Sequence, residues 1–164
     1  TGTGEVISSD FKTVKWVGKT KGGDEITIQL DNAINTGNIE WTFAEKNDTV
    51  PAVTFEACYE NTNEASASTA EPWSITMDEA PTAGASEILL GAGVFYIGSS
   101  AVGLTRGDGS FNVEREYSEI NADGDLGAVK GRVVMEASRA KLTMNVLTML
   151  TRLSDLYTSI EVSA

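Results

Sequence analysis

Apolar and polar side chains alternate along most of this chain, which is typical of strands with one buried and one solvated face. The alternation is regular at Ile26–Asp31, and again at Val53–Glu60, where it places Cys58 on the polar face. Between Thr13–Lys19 and the first of these segments, Lys21–Asp24 contains two glycines and indicates a hairpin turn. The pattern predicts a mainly β protein.

The second half of the chain contains further segments of this kind. Val94–Ile97 and Ala101–Leu104 flank the short turn Gly98–Ser100. At Phe111–Tyr117 the apolar positions alternate with a face that contains Glu114 and Glu116, which predicts a strand with a dense acidic face.

One segment near the C-terminus has helical spacing instead. Its large apolar residues recur every three or four positions: Val146, Met149, Leu150, Leu153, Leu156, Tyr157 and Ile160. Its opposite face has Thr148, Thr151, Arg152 and Asp155, and Asn145 is a candidate N-cap. This spacing predicts one amphipathic helix packed on the sheet.

Two polar segments are predicted to be surface loops. They are Glu60–Pro72 and Asp78–Ser86, both rich in small and polar residues. The second lies near the middle of the chain and separates two halves, each of which has too few apolar residues to close a core alone. We therefore expect one domain built from both halves.

Composition narrows the possible chemistry. The chain has 164 residues with 41% hydrophobic and 22% charged residues, which is ordinary for a folded domain. It has no histidine and a single cysteine, so it has no Ser-His-Asp triad, no zinc site of the usual type and no intrachain disulfide, which favours a cytosolic origin. No apolar stretch is long enough to span a membrane, and no secretory signal is visible.

The formal net charge of −12 argues against tight nucleic-acid binding, because phosphate backbones are held by Lys and Arg. Two further segments resemble ligand-binding motifs, but each lacks residues that the motif requires. Asn121–Asp125 resembles the start of a calcium loop, but Leu126 and Arg132 stand where a glycine and a bidentate glutamate are needed. Gly91–Gly93 and Gly107–Gly109 do not complete a phosphate-binding loop and are expected at bends or turns.

Two other residue sets could have a function. Glu114, Glu116 and Glu119 could supply a general acid and base, although acids on one strand more often form a solvated or pore-lining face. Trp16, Trp41 and Trp73 could form a sugar-binding platform. The first two lie in strand-like segments, where packing in the core or at an interface is expected, whereas Trp73 follows a loop.

Several segments resemble the major tail tube proteins of long, flexible-tailed bacteriophages. The segments similar to the N-terminal half of that family are Gly91–Ile97, Val102–Gly107, Ser110–Tyr117, Ala122–Asp125 and Val129–Arg132. Those similar to the other half are Thr13–Lys19, Leu30–Trp41 and Val50–Phe55. Together with their flanks, they cover most of the chain apart from the two loops.

The order of the halves differs from that of the family. Residues 1–78 resemble the family's C-terminal half, residues 88–164 resemble its N-terminal half, and 79–87 is a bridging linker. Joining Ala164 to Thr1 would restore the family order. The chain is therefore predicted to be a circular permutant, natural or engineered, which is physically reasonable because native termini often lie close together.

The resemblance implies a two-sheet β-sandwich or barrel with one flanking helix, and a structural protein of the virion rather than an enzyme. Six copies are expected to close into a ring, and rings to stack into the tail tube, which encloses the tape-measure protein and then conducts DNA without binding it specifically. A ring of six would carry a charge of about −72. We expect Glu114, Glu116 and Glu119 to face the lumen. No cofactor, metal or membrane span is implied, and the protein would be made in the bacterial cytoplasm.

Stacking would need a flexible loop or a terminal arm, and Glu60–Pro72 is one candidate for it. Two other functions stay open at this point. A monomeric β-sandwich of a virion that binds carbohydrate or protein would show Trp16 and Trp73 exposed side by side. A hydrolase would bring two of the named carboxylates together in a pocket with separated pKa values.

Overall fold

The computed structural model describes residues 10–38, 40, 50–63, 66–67, 70–78, 89–120, 122–123 and 129–147. The regular elements in these ranges are ten β-strands: β1 (Lys12–Thr20), β2 (Glu25–Asn35), β3 (Ala52–Ala57), β4 (Asn61–Asn63), β5 (Ser66–Ala67), β6 (Trp73–Met77), β7 (Leu89–Ile97), β8 (Ser100–Ala101), β9 (Ser110–Glu119) and β10 (Val133–Asn145). Seven strands form an antiparallel sheet in the order β8-β7-β1-β2-β3-β10-β9, and β6 also pairs with β2 in that sheet. Strands β4 and β5 form a separate two-stranded sheet. The prediction of a mainly β protein is confirmed.

The first hairpin forms where the sequence predicts it. β1 pairs with β2 in register from Val14 opposite Leu30 to Lys19 opposite Glu25. The turn between them is closed by a 2.9 Å hydrogen bond from the Thr20 amide to the Asp24 carbonyl, and Gly23 has a φ of 102°. Glycine adopts this conformation without the steric cost that a Cβ imposes.

An irregularity in β2 divides that strand between two neighbours. Asp31 and Asn32 both lie opposite Thr13, and Asn32 has a φ of 47°. Before this point β2 pairs with β6, from Ile26 to Leu30, and after it β2 pairs with β3, from Ala33 to Asn35. The same edge of β2 therefore pairs with two different strands, β6 and then β3, which diverge from each other.

The core lies on one face of the curved sheet. Its buried apolar residues are Val14, Trp16, Ile26, Leu30, Ala33, Val53, Phe55, Ala57, Phe95, Ile97, Val102, Ala140, Leu142, Met144 and Val146. The Trp16 indole lies over two paired glycines, since a Cβ at Gly18 or at Gly93 would come within 2.1 or 2.3 Å of the ring. The ring takes the space that two side chains would need.

The chain that follows β8 returns to the far end of the sheet. Thr105 forms a bridge with Val146, and the Leu147 amide donates to the Leu104 carbonyl at 2.8 Å. Phe95 of β7 packs against Gly109, where a Cβ would lie 2.7 Å from the ring. The sheet is therefore curved enough to bring β7 and β10 to the same groove.

The longest strand, β10, is absent from the predicted elements. Asn145 is its last residue rather than a helix cap, and its side chain donates to the Asp108 carbonyl at 2.8 Å. Asn145 pairs with Ala52 because β3 continues the sheet beside it. The predicted cap is wrong, and Val146, the first predicted helix position, forms a β-bridge with Thr105 instead. The helix positions from Thr148 onward lie outside the described residues.

The two predicted loops have different outcomes. Glu60–Pro72 is not a plain loop, because β4 and β5 pair within it. Asp78–Ser86 lies outside the described residues apart from Asp78. Pairing of β1 with β7 and of β3 with β10 joins strands from both halves of the chain, so their residues share one core.

The packing of Trp16 on Gly93 gives a first testable prediction. Gly93→Ala should lower the free energy of unfolding by about 1–3 kcal/mol, because a methyl group would force the indole to move. Gly91→Ala, in the same strand with no atom within 4 Å of its Cβ position, should change it by no more than about 0.5 kcal/mol. Urea denaturation of both variants measures the difference, and equal effects would contradict this packing.

Candidate functional site

An exposed apolar surface lies at the far end of the β9–β10 hairpin. We call it the distal hairpin, and it comprises residues 117–120 and 133–135. Its five large apolar side chains are between 44% and 61% exposed: Tyr117, Ile120, Val133, Val134 and Met135. Near the core the same two strands bury Leu142 and half-bury Phe111, so the hairpin extends beyond the part of the sheet that shares the core.

Apolar groups lie on both faces of the distal hairpin. Residues directly opposite each other in an antiparallel pair point to the same face. Met135 lies opposite Tyr117 and Val134 opposite Ser118, so these two pairs lie on opposite faces. A bulge at Glu136 follows these residues and separates them from the rest of β10. Neither face of the distal hairpin is covered by the described part of the chain.

Strand β9 is the last strand of the sheet. It pairs with β10 over ten residues, and no strand of the described residues pairs with its other edge. At the opposite end of the sheet, β8 covers only Tyr96 and Ile97 of β7. An edge strand with unpaired N–H and C=O groups is a template for pairing with another chain.

The three predicted acids are all exposed, but they do not share one face. Glu114 and Glu116 alternate with the half-buried Phe111 and Val113, and therefore point away from the core. Glu119 has the opposite parity and lies opposite Val133. β9 is regular along its whole length, so strict alternation separates Glu119 from the other two.

The outward face of β9 also has basic neighbours. Arg139 lies opposite Glu114, and the Lys141 ammonium is 3.9 Å from the Glu114 carboxylate. Glu56 of β3 lies opposite Lys141 on the same face. Glu114 is thus part of a mixed row of charges, whereas Glu116 lies opposite Ala137.

Glu71 connects the loop before β6 to β10. Its Oε2 atom accepts hydrogen bonds from the Ser138 hydroxyl at 2.9 Å, the Trp73 indole N–H at 3.1 Å and the Tyr59 hydroxyl at 3.3 Å. The Arg115 guanidinium lies 3.7 Å from Oε1 and 5.9 Å from the Trp73 ring centroid. This cluster fixes the position of Trp73 against the hairpin base.

The two described tryptophans do not form an exposed platform. Trp16 is 9% exposed and belongs to the core. Trp73 is half-buried, its N–H is bonded to Glu71, and its ring lies 5.7 Å from that of Phe111. Trp41 lies outside the described residues. The feature that would distinguish a sugar-binding module is therefore not formed by Trp16 and Trp73.

An apolar groove lies on the core face of the sheet, open to solvent on one side. Its volume is about 530 Å³. Thirteen residues of the described ranges line it, and none of these is charged: Trp16, Ile28, Leu89, Gly91, Ala92, Gly93, Phe95, Thr105, Gly107, Gly109, Ser110, Phe111 and Leu142. Gly107 has a φ of 88° and lies at a bend, as predicted, whereas Gly91–Gly93 lies within β7 rather than at a turn.

The remaining candidates are a metal site, a membrane span and the cysteine. Among the described residues, no three acidic or thiol side chains lie close enough to hold a metal ion, and Asn121, Gly124 and Asp125 of the proposed calcium loop lie outside that set. Within the described ranges, no helix has the length and hydropathy to cross a bilayer. Cys58 follows β3 and is half-buried rather than fully solvated, with its amide bonded to the Asn32 carbonyl.

Comparison of the chain with protein-family models, with curated proteins and with solved structures gives no match. The likeness to tail tube proteins therefore depends on the sequence motifs alone.

Sequence reasoning missed the distal hairpin as a functional candidate. The three consecutive apolar residues Val133–Met135 break the alternation that follows them in β10, and such a break was the available signal. Tyr117 has the same inward parity as Phe111, but it is 56% exposed because no described core residue lies beneath it. The position of a residue in the alternation gives the face to which its side chain points. It does not show whether another part of the protein packs against that face.

The Glu71 cluster gives a second prediction. Glu71→Ala should lower the free energy of unfolding by about 2 kcal/mol, because it leaves the partly buried Ser138 hydroxyl and Trp73 N–H without their acceptor. Glu71→Gln, which keeps one carbonyl oxygen, should lose less. As a control, Glu114→Ala removes an exposed ion pair with Lys141 and an exposed hydrogen bond from Asn112, and should change stability by about 0.5 kcal/mol or less. Chemical denaturation measures all three, and equal losses for Ala and Gln at position 71 would contradict the hydrogen-bonding role.

Cys58 gives a third prediction. Burial raises the pKa of the Cys58 thiol, and the nearby Glu56 carboxylate raises it further. The folded protein should therefore react with iodoacetamide more slowly at pH 8 than the same protein in urea, since less thiolate is present. Its rate should go on rising with pH after that of the unfolded chain has levelled off. Superimposable pH profiles would show that the fold leaves the thiol unperturbed.

Proposed function

We propose that this protein is the structural subunit of a phage tail tube, in which six copies close into a ring and rings stack. The observation that carries the proposal is the distal hairpin, where five large apolar side chains are exposed on both faces at the edge of a sheet. Contiguous exposed apolar surface marks a contact with another molecule. Here the other molecule is a second copy of the chain.

Ring closure uses the two ends of the sheet. Among the described strands, none pairs with the outer edge of β9, which is ten residues long, and β8 pairs with only two residues of the outer edge of β7. When two different edges pair head to tail, the same interface repeats from one copy to the next. The copies close into a ring when the rotation between neighbouring copies is a whole fraction of 360°. The distal hairpin, which extends past the core, then makes the contact between stacked rings.

The lumen is acidic in this proposal. Glu114 and Glu116 point away from the core and line the wall of the lumen. Glu119 lies at the end of the hairpin. Arg139 and Lys141 on the same face reduce the local charge, but each chain still has a net charge of −12. A wall of this sign repels DNA phosphates, so the tape-measure protein and the genome pass without specific binding.

The finer architecture is part of the same proposal. The curvature that brings Phe95 against Gly109, and Leu104 against Leu147, supports a sheet folded into a sandwich or barrel. Residues 148–160 would add the flanking helix. Circular permutation is supported by the order of the motifs, and the virion is the site of action of the assembled protein.

Assembly is tested with the purified protein and a matched pair of variants, each adding one negative charge. Negative-stain electron microscopy and native mass spectrometry across a concentration series should show rings or tubes built on six copies. Met135→Asp should abolish stacking while leaving the monomer folded, since Met135 is 45% exposed. Asn38→Asp, on an exposed position outside the hairpin, should assemble normally. Raising the salt from about 0.15 M to about 1 M should favour assembly by screening the acidic chains.

Two results would overturn the proposal. One is a strict monomer at every concentration both in this chain and in a version with residues 88–164 placed before 1–78. The other is an assembly whose subunit number is not six. Assembly only in the reordered version would support the family and show that the permutation disables stacking.

A further inference from the structure

The segment between β8 and β9 contains an aspartate followed directly by a glycine. Asp108–Gly109 and Asp123–Gly124 are the two steps of this kind in the sequence. At an Asp–Gly step, the backbone nitrogen of the glycine can attack the carboxyl carbon of the preceding side chain, because glycine has no Cβ that obstructs the approach. Asp108–Gly109 is therefore a candidate for spontaneous modification of the backbone.

Close packing requires the glycine at this step. A Cβ at Gly109 would lie 2.7 Å from the Phe95 ring and 3.0 Å from the Thr143 carbonyl oxygen. At the next residue the chain enters β9, where Ser110 pairs with Thr143. A larger residue at position 109 would displace the aromatic ring or the strand. The fold therefore keeps a reactive Asp–Gly step in place.

The reaction is an isomerisation in which one water leaves and one returns. A bond forms between the Gly109 nitrogen and Cγ of Asp108, a Cγ–O bond breaks, and the amide proton leaves with the carboxyl OH group as water. Water then opens the five-membered succinimide. Attack on the side-chain carbonyl restores aspartate, whereas attack on the backbone carbonyl gives isoaspartate. Both residues are exposed, so water has access to the ring.

Asn145, the last residue of β10, holds this turn at two points. Its backbone carbonyl accepts a hydrogen bond from the Arg106 amide at 3.1 Å, and its side-chain amide donates to the Asp108 carbonyl at 2.8 Å. The Asp108 carbonyl oxygen and the Gly109 nitrogen belong to the same peptide group. Any rotation that brings the nitrogen to Cγ therefore moves the oxygen as well, and the Asn145 side chain opposes that movement.

We propose that Asp108 is a site of spontaneous isoaspartate formation, and that Asn145 sets its rate by restraining the turn. Isoaspartate adds one methylene group to the main chain beside Gly109, where the Phe95 ring and the Thr143 carbonyl leave no room for it. The product is an isoaspartyl peptide, which is the class of substrate that repair methyltransferases modify with S-adenosylmethionine. This inference does not depend on the tail-tube proposal, and each can fail alone.

Ageing of the purified protein tests the proposal. The folded protein and the same protein in guanidinium chloride are incubated at near-neutral pH for several weeks. Peptide mass spectrometry and enzymatic methylation of isoaspartate then measure the product at each Asp–Gly step. In denaturant both steps should form isoaspartate. In the folded protein Asp108 should form it several-fold more slowly than in denaturant, because the reaction requires a local opening of the turn.

Variants at position 145 test the restraint. Asn145→Ala removes the side-chain donor and should raise the rate at Asp108 in the folded protein about three- to ten-fold, as expected for one lost hydrogen bond. Asn145→Asp has the same shape, cannot donate when ionised, and should raise the rate likewise. As a matched control, Asn112→Ala removes an exposed amide that is bonded to Glu114, and should leave the rate unchanged. Circular dichroism confirms that each variant is folded.

Three results would overturn the proposal. Absence of isoaspartate at Asp108 in denaturant would show that the step is not reactive. Equal rates in the folded and denatured protein would show that the fold does not restrain the turn. A rate that neither variant at position 145 changes would show that Asn145 is not the restraint. Asp108→Glu keeps the charge and should remove the signal from this step, since the corresponding six-membered ring forms much more slowly.

Discussion

At Asn32 the backbone enters the left-handed region, and one edge of β2 then serves two different strands. The Asp31 amide donates to the Pro72 carbonyl on the β6 side, and the Asn32 carbonyl accepts from the Cys58 amide on the β3 side. Asparagine tolerates this conformation better than most residues with a Cβ. The division splays β6 away from β3, and the space between them is occupied by the Glu71 cluster. The positions of β6 and of the Glu71 cluster relative to β3 depend on this change of partner along β2.

Much of the sheet is readable from side-chain alternation. Val53, Phe55 and Ala57 alternate with polar residues because β3 has one buried face, and the same holds for β1 and β2. Strand β10 is not predicted, because its apolar residues, from Ala140 to Val146 in steps of two, run directly into the helical spacing that begins at Val146. The order of strands could not be read at all, since it depends on contacts between distant segments.

The candidate site was predicted less completely. Exposure of Glu114 and Glu116 follows from parity, and so does the separation of Glu119 from them. Exposure of Tyr117 and Met135 does not, because it depends on where the neighbouring strand β3 ends beside β10. Burial of Trp16 depends likewise on glycines that lie 75 residues apart, at positions 18 and 93. The exposure of a side chain that depends on the length of a neighbouring strand, or on the size of a residue beside it, cannot be read from the local sequence.

The pairing of β3 with β10 has a kinetic consequence. The Thr54 and Thr143 hydroxyls meet at 3.0 Å although 89 positions separate them along the chain, and β1 pairs with β7 across a comparable distance. For each such pairing, the entropy cost of closing a long loop comes before the stabilising contacts form. Sheets with many such pairings therefore fold slowly. The β9–β10 hairpin is more local and can form early, with its apolar residues exposed. A nascent chain therefore exposes an aggregation-prone apolar surface before its core forms. Dilution, or a chaperone during synthesis, would determine what fraction of the chains reaches the native state.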